Sequence, residues 1–266
     1  MKPHLFILCL VAPVLAGGGV ARAEDDQRDG LSLSLGAAGV YRPEFKGSKD
    51  YEFKPLPFVG LRYGLGDRYV ALEGPSLRAN VLSGQVLEFG PVISYERGRK
   101  KDIKNLAVRR LGEIDAAVNV GAFARKRLKV GAGDLTIGVE ALTDTGKVHK
   151  GVLATAGVGY DRQLNDRWNV SANLSATWAD RKYMRTYYGV SGAGAAASGF
   201  SPYVASAGIE NVEVGASLSY RISDRWSALA LGGYRRLVDS AADSPIVARG
   251  GSANQGQVAF ALLYNF

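Results

Sequence analysis

Cysteine and histidine are almost missing from this chain. Its 266 residues hold one cysteine, Cys9, and two histidines, His4 and His149. Cys9 and His4 lie in an N-terminal segment expected to be removed, so the mature chain has no disulfide, no thiol nucleophile and a single imidazole. A metal centre built on Cys and His is thereby excluded, and the acidic residues show no calcium-loop spacing. No cofactor is expected. After the first 23 residues no apolar run approaches the length of a membrane-spanning helix. No composition break or Pro/Ser-rich linker divides the chain, which excludes an obvious second domain.

What the sequence does contain begins with a targeting signal. Lys2 precedes an apolar run from Leu5 to Leu15, and Ala21-Arg-Ala23 supplies a cleavage site. Residues 1–23 therefore read as a signal peptide and 24–266 as one domain. Removing Lys2 and Arg22 takes the formal charge from +8 to +6. Export separates the chain from cytoplasmic nucleic acid, so nucleic acid is no expected partner.

Period-two alternation then recurs along the chain. Leu31, Leu33, Leu35, Ala37, Gly39 and Tyr41 alternate with Ser32, Ser34 and Gly36. Further segments follow near 56–63, 69–73, 77–82, 87–95, 116–122, 135–141, 152–160, 168–178, 212–222 and 225–237. Trp168 and Trp178 stand at opposite ends of one strand, as interfacial residues do in a membrane barrel. The last strand puts Val258, Phe260, Leu262, Tyr264 and Phe266 on one face and Gln257, Ala259, Ala261, Leu263 and Asn265 on the other. An edge strand this apolar would aggregate in water, whereas a lipid-facing strand that closes a barrel is paired on both sides.

These patterns predict an all-β fold, a transmembrane antiparallel β-barrel of about twelve strands. Ten strands result if Gly74-Pro75 sits in a loop rather than a hairpin. Short connections at 64–68, 83–86, 125–133, 164–166 and 223–224 fall on one end, the periplasmic one. Long ones at 42–55, 97–112, 144–149, 180–208 and 238–254 fall on the extracellular end.

Several segments resemble the MipA/OmpV family of Gram-negative outer-membrane proteins. One is Tyr41-Arg-Pro-Glu-Phe-Lys-Gly-Ser-Lys-Asp-Tyr51, with Pro43, Phe45, Gly47 and Ser48 among its matching positions. Others hold Tyr183, Met184, Tyr188 and Gly189, then Asp243, Ser244 and Pro245, and the closing Tyr264-Asn-Phe266. The resemblance implies an outer-membrane barrel that scaffolds a murein hydrolase and a murein synthase, or another envelope-assembly role. Other members are described as porin-like or adhesive, which keeps a channel for small solutes as the alternative. The terminal residues Phe260, Leu262, Tyr264 and Phe266 resemble the signal read by the barrel-insertion machinery.

Candidate chemistry is sparse. His149 would be the base of a barrel hydrolase, but no nucleophile motif accompanies it, and a lone loop histidine reads as solvated. No catalytic role is expected. Arg78, Asn80, Glu88, Glu96, Asp115, Asn119, Glu140, Glu213 and Arg221 share the inferred inner face; as paired opposite charges they would fill a narrow barrel, and as a ring around water they would bias ion passage. Arg97-Gly-Arg-Lys-Lys101, Lys104 and Arg109-Arg110 would meet lipopolysaccharide phosphates. Arg125-Lys-Arg-Leu-Lys129 is read as a periplasmic turn, facing acidic stem peptides or a partner protein. The segment Ala193 to Gly199 is read as a flexible loop. Loop 180–208, with its tyrosines, would constrict the lumen if folded inward.

Overall fold

The computed structural model describes residues 29–84 and 86–266; the segment read as a signal peptide lies outside them. Twelve strands close into one antiparallel barrel: β1 Gly30–Pro43, β2 Tyr51–Leu65, β3 Arg68–Glu73, β4 Ser76–Asn80, β5 Leu87–Glu96, β6 Ala117–Val130, β7 Gly133–Asp144, β8 Val152–Gln163, β9 Trp168–Ala179, β10 Gly208–Arg221, β11 Trp226–Leu237 and β12 Asn254–Asn265. Each strand pairs with its sequence neighbours, and β1 closes on β12 through rungs such as Ala37↔Leu262 and Gly39↔Phe260. Closure removes the barrel edges except along the upper part of β2, beyond the reach of the short β3. Gly74-Pro75 is the tip of the β3–β4 hairpin, which settles the count at twelve.

The hairpins explain the register. Gly66, at φ +58, and Asp67 form a two-residue turn between Leu65 and Arg68, a conformation that an L residue adopts poorly. Asn165 Oδ1 accepts from the backbone N–H groups of Arg167 (2.9 Å) and Trp168 (3.0 Å). Ser223 Oγ accepts from the N–H of Trp226 at 3.2 Å. The similar tetrapeptides beginning at Asn165 and Ser223 are thus one solution to one turn, with a Trp opening the next strand. Those tryptophans form a periplasmic girdle with their cross-strand neighbours: ring centroids are 4.4 Å apart for Trp168–Tyr220, 5.2 Å for Trp226–Tyr264 and 4.8 Å for Tyr264–Phe266.

Lipid-facing and inward residues alternate as the sequence implies. Phe89 and Ile93 are exposed while Glu88 and Val92 are buried. Two strand ends depart from expectation. The run Arg125–Lys129 is not a turn: β6 continues to Val130 and the turn is Gly131-Ala132. Tyr51 is not in a loop but opens β2, because β1 and β2 form a ladder reaching Pro43↔Tyr51.

At the extracellular end five short helices pack inside and over the barrel mouth: α1 Leu106–Arg109, α2 Arg181–Tyr188, α3 Gly192–Ser198, α4 Asp239–Ala242 and α5 Pro245–Ala248. Asp180 caps α2 by accepting from the Tyr183 N–H at 2.9 Å, and Ser191 caps α3 through Gly194 at 3.1 Å. The segment read as a flexible loop at Ala193 to Gly199 is therefore helix α3, ended by Gly199 at φ +79.

Candidate functional site: the plug and the filled lumen

The loops carrying the family-like segments converge on one plug. Tyr183, Met184 and Tyr188 on α2 are fully buried, packed with Leu153, Leu237 and Val247. Phe45 joins Val108, Val190, Phe200 and Ile246 in a second apolar cluster above them. Ser244 caps α5 by accepting from Ile246, donates to the Tyr188 carbonyl at 2.6 Å, and has Pro245 beside it at the first helical turn. Gly47 is pinned by Gln255, whose Oε1 accepts its N–H at 3.0 Å. Its carbonyl lies so close to Gly251 that a Cβ there would sit 1.8 Å away. Ser48 is fully buried and its Oγ accepts from the Asp50 N–H at 3.0 Å, while Pro43 ends β1 and Gly189 is the C-cap of α2. Asp243 is the C-cap of α4, and Tyr41 stacks on Tyr51 at 5.0 Å on the outer rim.

A charged network lies under the plug. Lys46 Nζ donates to Glu96 Oε1 at 2.6 Å and to the Tyr183 hydroxyl, with Glu210 Oε1 at 3.4 Å. Tyr183 donates to Glu96 at 2.5 Å and Tyr188 to Glu210 at 2.6 Å. Burial alone would lower the Lys46 pKa, but Glu210 and Glu96 outweigh it and the ammonium is held above its ordinary value. Burial, reinforced by Glu210, pushes the Tyr183 and Tyr188 phenols well up, so they remain donors.

His149 overturns the solvated-loop reading. Its side chain is fully buried, edge-on to Tyr183 at 4.9 Å. Nδ1 accepts from the Gly151 N–H at 3.1 Å, so the proton sits on Nε2 and is donated to Asn119 Oδ1 at 3.0 Å. Asn119 in turn donates to Glu96 at 3.1 Å. Both ring nitrogens are thus occupied by structural partners, and burial lowers the pKa.

Below the plug the lumen is filled by paired charges. Arg78 donates to Glu140 at 2.6 and 3.0 Å and to Glu73 at 2.9 Å. Arg125 reaches Glu73 at 3.0 Å, Arg127 reaches Glu88 at 2.9 Å, and Tyr69 donates to Glu88 at 2.7 Å. Arg235 binds Glu213 at 2.8 Å. Ala38, Arg78, Val92, Arg125, Glu140, Asn173, Glu213 and Leu263, spread around the wall, are each at most 5% exposed. Packed side chains therefore line the inside of the barrel over much of its height. Asp115 does not belong to this set: it is exposed and precedes β6. Arg221 has inward parity but ends β10 at the exposed periplasmic mouth. Sequence reading missed Glu73, Arg125, Arg127 and Arg235. The signal for two of them was present, since Arg125 and Arg127 keep the inward parity of Asn119 and Phe123.

Opposite the charges, β11, β12, β1 and β2 present an apolar inner arc of Leu229, Ala259, Ala261, Leu263, Ala38, Val40 and Phe58. Phe260, Leu262 and Phe266 face outward at 65%, 48% and 73% exposure, with Tyr264 half-buried in the girdle. Among the described residues no cluster of three or more His, Cys, Asp or Glu fits a metal ion.

Solved structures of similar fold include outer-membrane channels. An outer-membrane channel from Pseudomonas putida F1 shares 11% identity, with a TM-score of 0.46, over 92% of this chain and 100% of its own. The translocator domain of autotransporter NalP from Neisseria meningitidis shares 13%, at 0.46, over 89% and 88%. The outer-membrane channel DcaP of Acinetobacter baumannii shares 11%, at 0.37, over 92% and 99%. No curated protein matches the chain. A closed antiparallel barrel of twelve strands with an apolar outer face is the architecture of a protein of the Gram-negative outer membrane. The sequence profile described as "MltA-interacting protein MipA" matches residues 35–266, from β1 to the last residue, and the chain belongs to that family.

Proposed function

We propose that this protein is a non-conducting, non-enzymatic outer-membrane anchor that docks murein-processing enzymes at its periplasmic mouth. The observation carrying this reading is the double closure of the lumen, by the plug above and by side-chain ion pairs below. A barrel so closed offers its rim rather than a passage. The family description supports an interacting rather than a transporting role. The periplasmic turns are short, so a partner would meet a shallow ring that includes exposed Arg162, Arg167, Arg221 and Arg225. Their charge suits an acidic patch on a partner or an acidic stem peptide. The catalytic alternative through His149 has no support, because both its nitrogens are already engaged by Asn119 and the Gly151 backbone.

Immobilised barrel should retain a murein hydrolase of the kind named by the family, and a murein synthase with it. The variant Arg162→Glu/Arg167→Glu/Arg225→Glu should lower retention at least tenfold. Stepwise conductance of the unaltered protein in planar bilayers, with no retention of either enzyme, would replace this reading with the channel.

A further inference from the structure

The barrel wall is incomplete on one side. The β2–β3 ladder runs only from Leu65↔Arg68 to Leu61↔Leu72, because β3 ends at Glu73. β2 itself continues to Tyr51. The two-residue turn makes Leu65↔Arg68 a hydrogen-bonded pair, so odd-numbered residues of β2 direct their N–H and C=O groups towards β3. Above the hairpin tip at Gly74-Pro75, that edge is Phe53, Pro55, Pro57 and Val59, about 20 Å of strand at ~3.3 Å per residue. Two of these four positions are prolines, which carry no N–H. The edge is thus stripped of half its donors, which protects it from pairing with another strand and lowers the cost of leaving it in hydrocarbon.

Height and exposure place this notch in the outer leaflet. Tyr63 lies at the periplasmic girdle and Phe53, paired with Tyr41, at the extracellular one. The rim is apolar and exposed: Phe53, Val59, Leu77 and Ile93. One rung beside the gap is unequally covered, and its lysine, Lys54, lies 3.4 Å from Glu52 Oε2. In Val40↔Lys54 both side chains have inward parity, yet Val40 is 3% exposed and the Lys54 side chain 42%. Behind the notch, Leu56 and Phe58 lead to the apolar inner arc. Above it, the segment after β5 bridges back, with Arg97 on Glu52 at 3.1 Å and Lys104 Nζ on the Tyr51 carbonyl at 2.9 Å. Lys104, which also lies 3.8 Å from Glu44, stands at that upper lip, and Lys49, Lys100 and Lys101, all exposed, belong to the two loops that meet there.

We infer that the notch between β2 and the β3–β4 hairpin is a binding site for an anionic, phosphate-bearing lipid of the outer leaflet. An acyl chain lies against Pro55, Pro57 and Leu56, and the headgroup phosphate meets Lys54 and the lysines above. Hydrocarbon is what a gap at this depth meets, and the cationic lip selects a negative headgroup over a zwitterionic one.

The test uses the full mature barrel in nanodiscs, with Trp168, Trp178 and Trp226 changed to Phe and one new tryptophan added per variant. Leu56→Trp places the probe inside, behind the notch; Ser171→Trp places it inside, behind intact wall; Val59→Trp places it in lipid. Phosphatidylglycerol brominated on its acyl chains should quench the Leu56→Trp variant at least half as strongly as Val59→Trp, and Ser171→Trp hardly at all. Brominated phosphatidylcholine should quench Leu56→Trp at least twofold less than the glycerol lipid, and adding Lys54→Glu/Lys104→Glu should abolish that preference. A probe as shielded in Leu56→Trp as in Ser171→Trp would overturn the site; equal quenching by both lipids would overturn the headgroup assignment. If Leu56→Trp does not fold, Lys54→Cys and Val40→Cys replace it. A phospholipid with a maleimide headgroup should label the Lys54→Cys variant and spare Val40→Cys, and labelling of neither or of both would refute an opening at the notch.

Discussion

Lys46 and His149 stand under the same plug within the same tyrosine cluster, yet one is charged and the other neutral. Lys46 has two carboxylate acceptors, Glu96 and Glu210. His149 faces a backbone donor at Nδ1, so a second proton would set two N–H groups against each other. Glu96, Asp144 and Asp180 favour the imidazolium, but burial, with the Lys46 charge, outweighs them and holds the pKa below 6.5. Below pH 6.5 the unfolded segment takes up a proton that the folded plug refuses, so plug stability falls as pH drops through that value and levels off at the folded pKa. Hydrogen exchange across 181–208, corrected for intrinsic rates, should accelerate from about pH 7 to about pH 5. In His149→Gln the exchange should be faster overall and lose that pH dependence; an unchanged profile would show that His149 is not the titrating group. The lumen pair Arg78–Glu140, with both side chains 3% exposed, behaves differently. Arg78→Met should cost about 3–5 kcal/mol by stranding Glu140, while Arg78→Met/Glu140→Met should recover most of it. Urea titration of the compact, heat-modifiable form separates the two outcomes. The inward placement of Arg78 and Glu140 was legible in the sequence, but the burial of His149 was not, because it depends on Tyr183, thirty-four positions on, folding back over it.

Strands were the legible elements, and their ends were not. β9 and β12 alternate cleanly because lipid on one side and packed interior on the other enforce period two. β6 misleads because Arg125 and Arg127 look like a solvated turn until Glu73 and Glu88, on β3 and β5, supply their counter-charges. The inward fold of 180–208 was open to sequence reasoning only in part: Asp180 and Ser191 are recognisable caps, but what α2 packs against comes from other loops. For the C-terminal strand, pairing with both β1 and β11 makes closure the step that satisfies its backbone. The Phe266 N–H bonds the Leu33 carbonyl at 3.0 Å, and its ring packs on Tyr264 in the periplasmic girdle. Deleting Phe266 should leave exported but poorly inserted, protease-sensitive chain. Ala261→Ser, on the inner arc, should insert normally and lose only about 1–3 kcal/mol for a buried hydroxyl. Normal assembly without Phe266, measured by protease protection in membranes, would show that this end is not the closing signal.

For the whole molecule, two seals lie in series along the barrel axis. The upper one is apolar, built from α2 and the loops around it. The lower one is the quartet Glu73, Arg78, Arg125 and Glu140, whose charges cancel, so it fills space without presenting a charged ring. Either alone should block the passage, and the proposed anchor role needs none. Replacing 181–207 by a short Gly/Ser linker should therefore leave planar bilayers silent, as should changing the quartet to alanine with the plug intact. Removing the quartet as a set leaves none of its four charges without its partner, so this variant should still insert. Only the combined variant should give stepwise currents, since it alone joins the periplasmic mouth to the extracellular side. Currents from the plug deletion by itself would mean that the lower side chains part readily and that the plug is the sole gate, and the protein would then be better described as a gated channel than as an anchor.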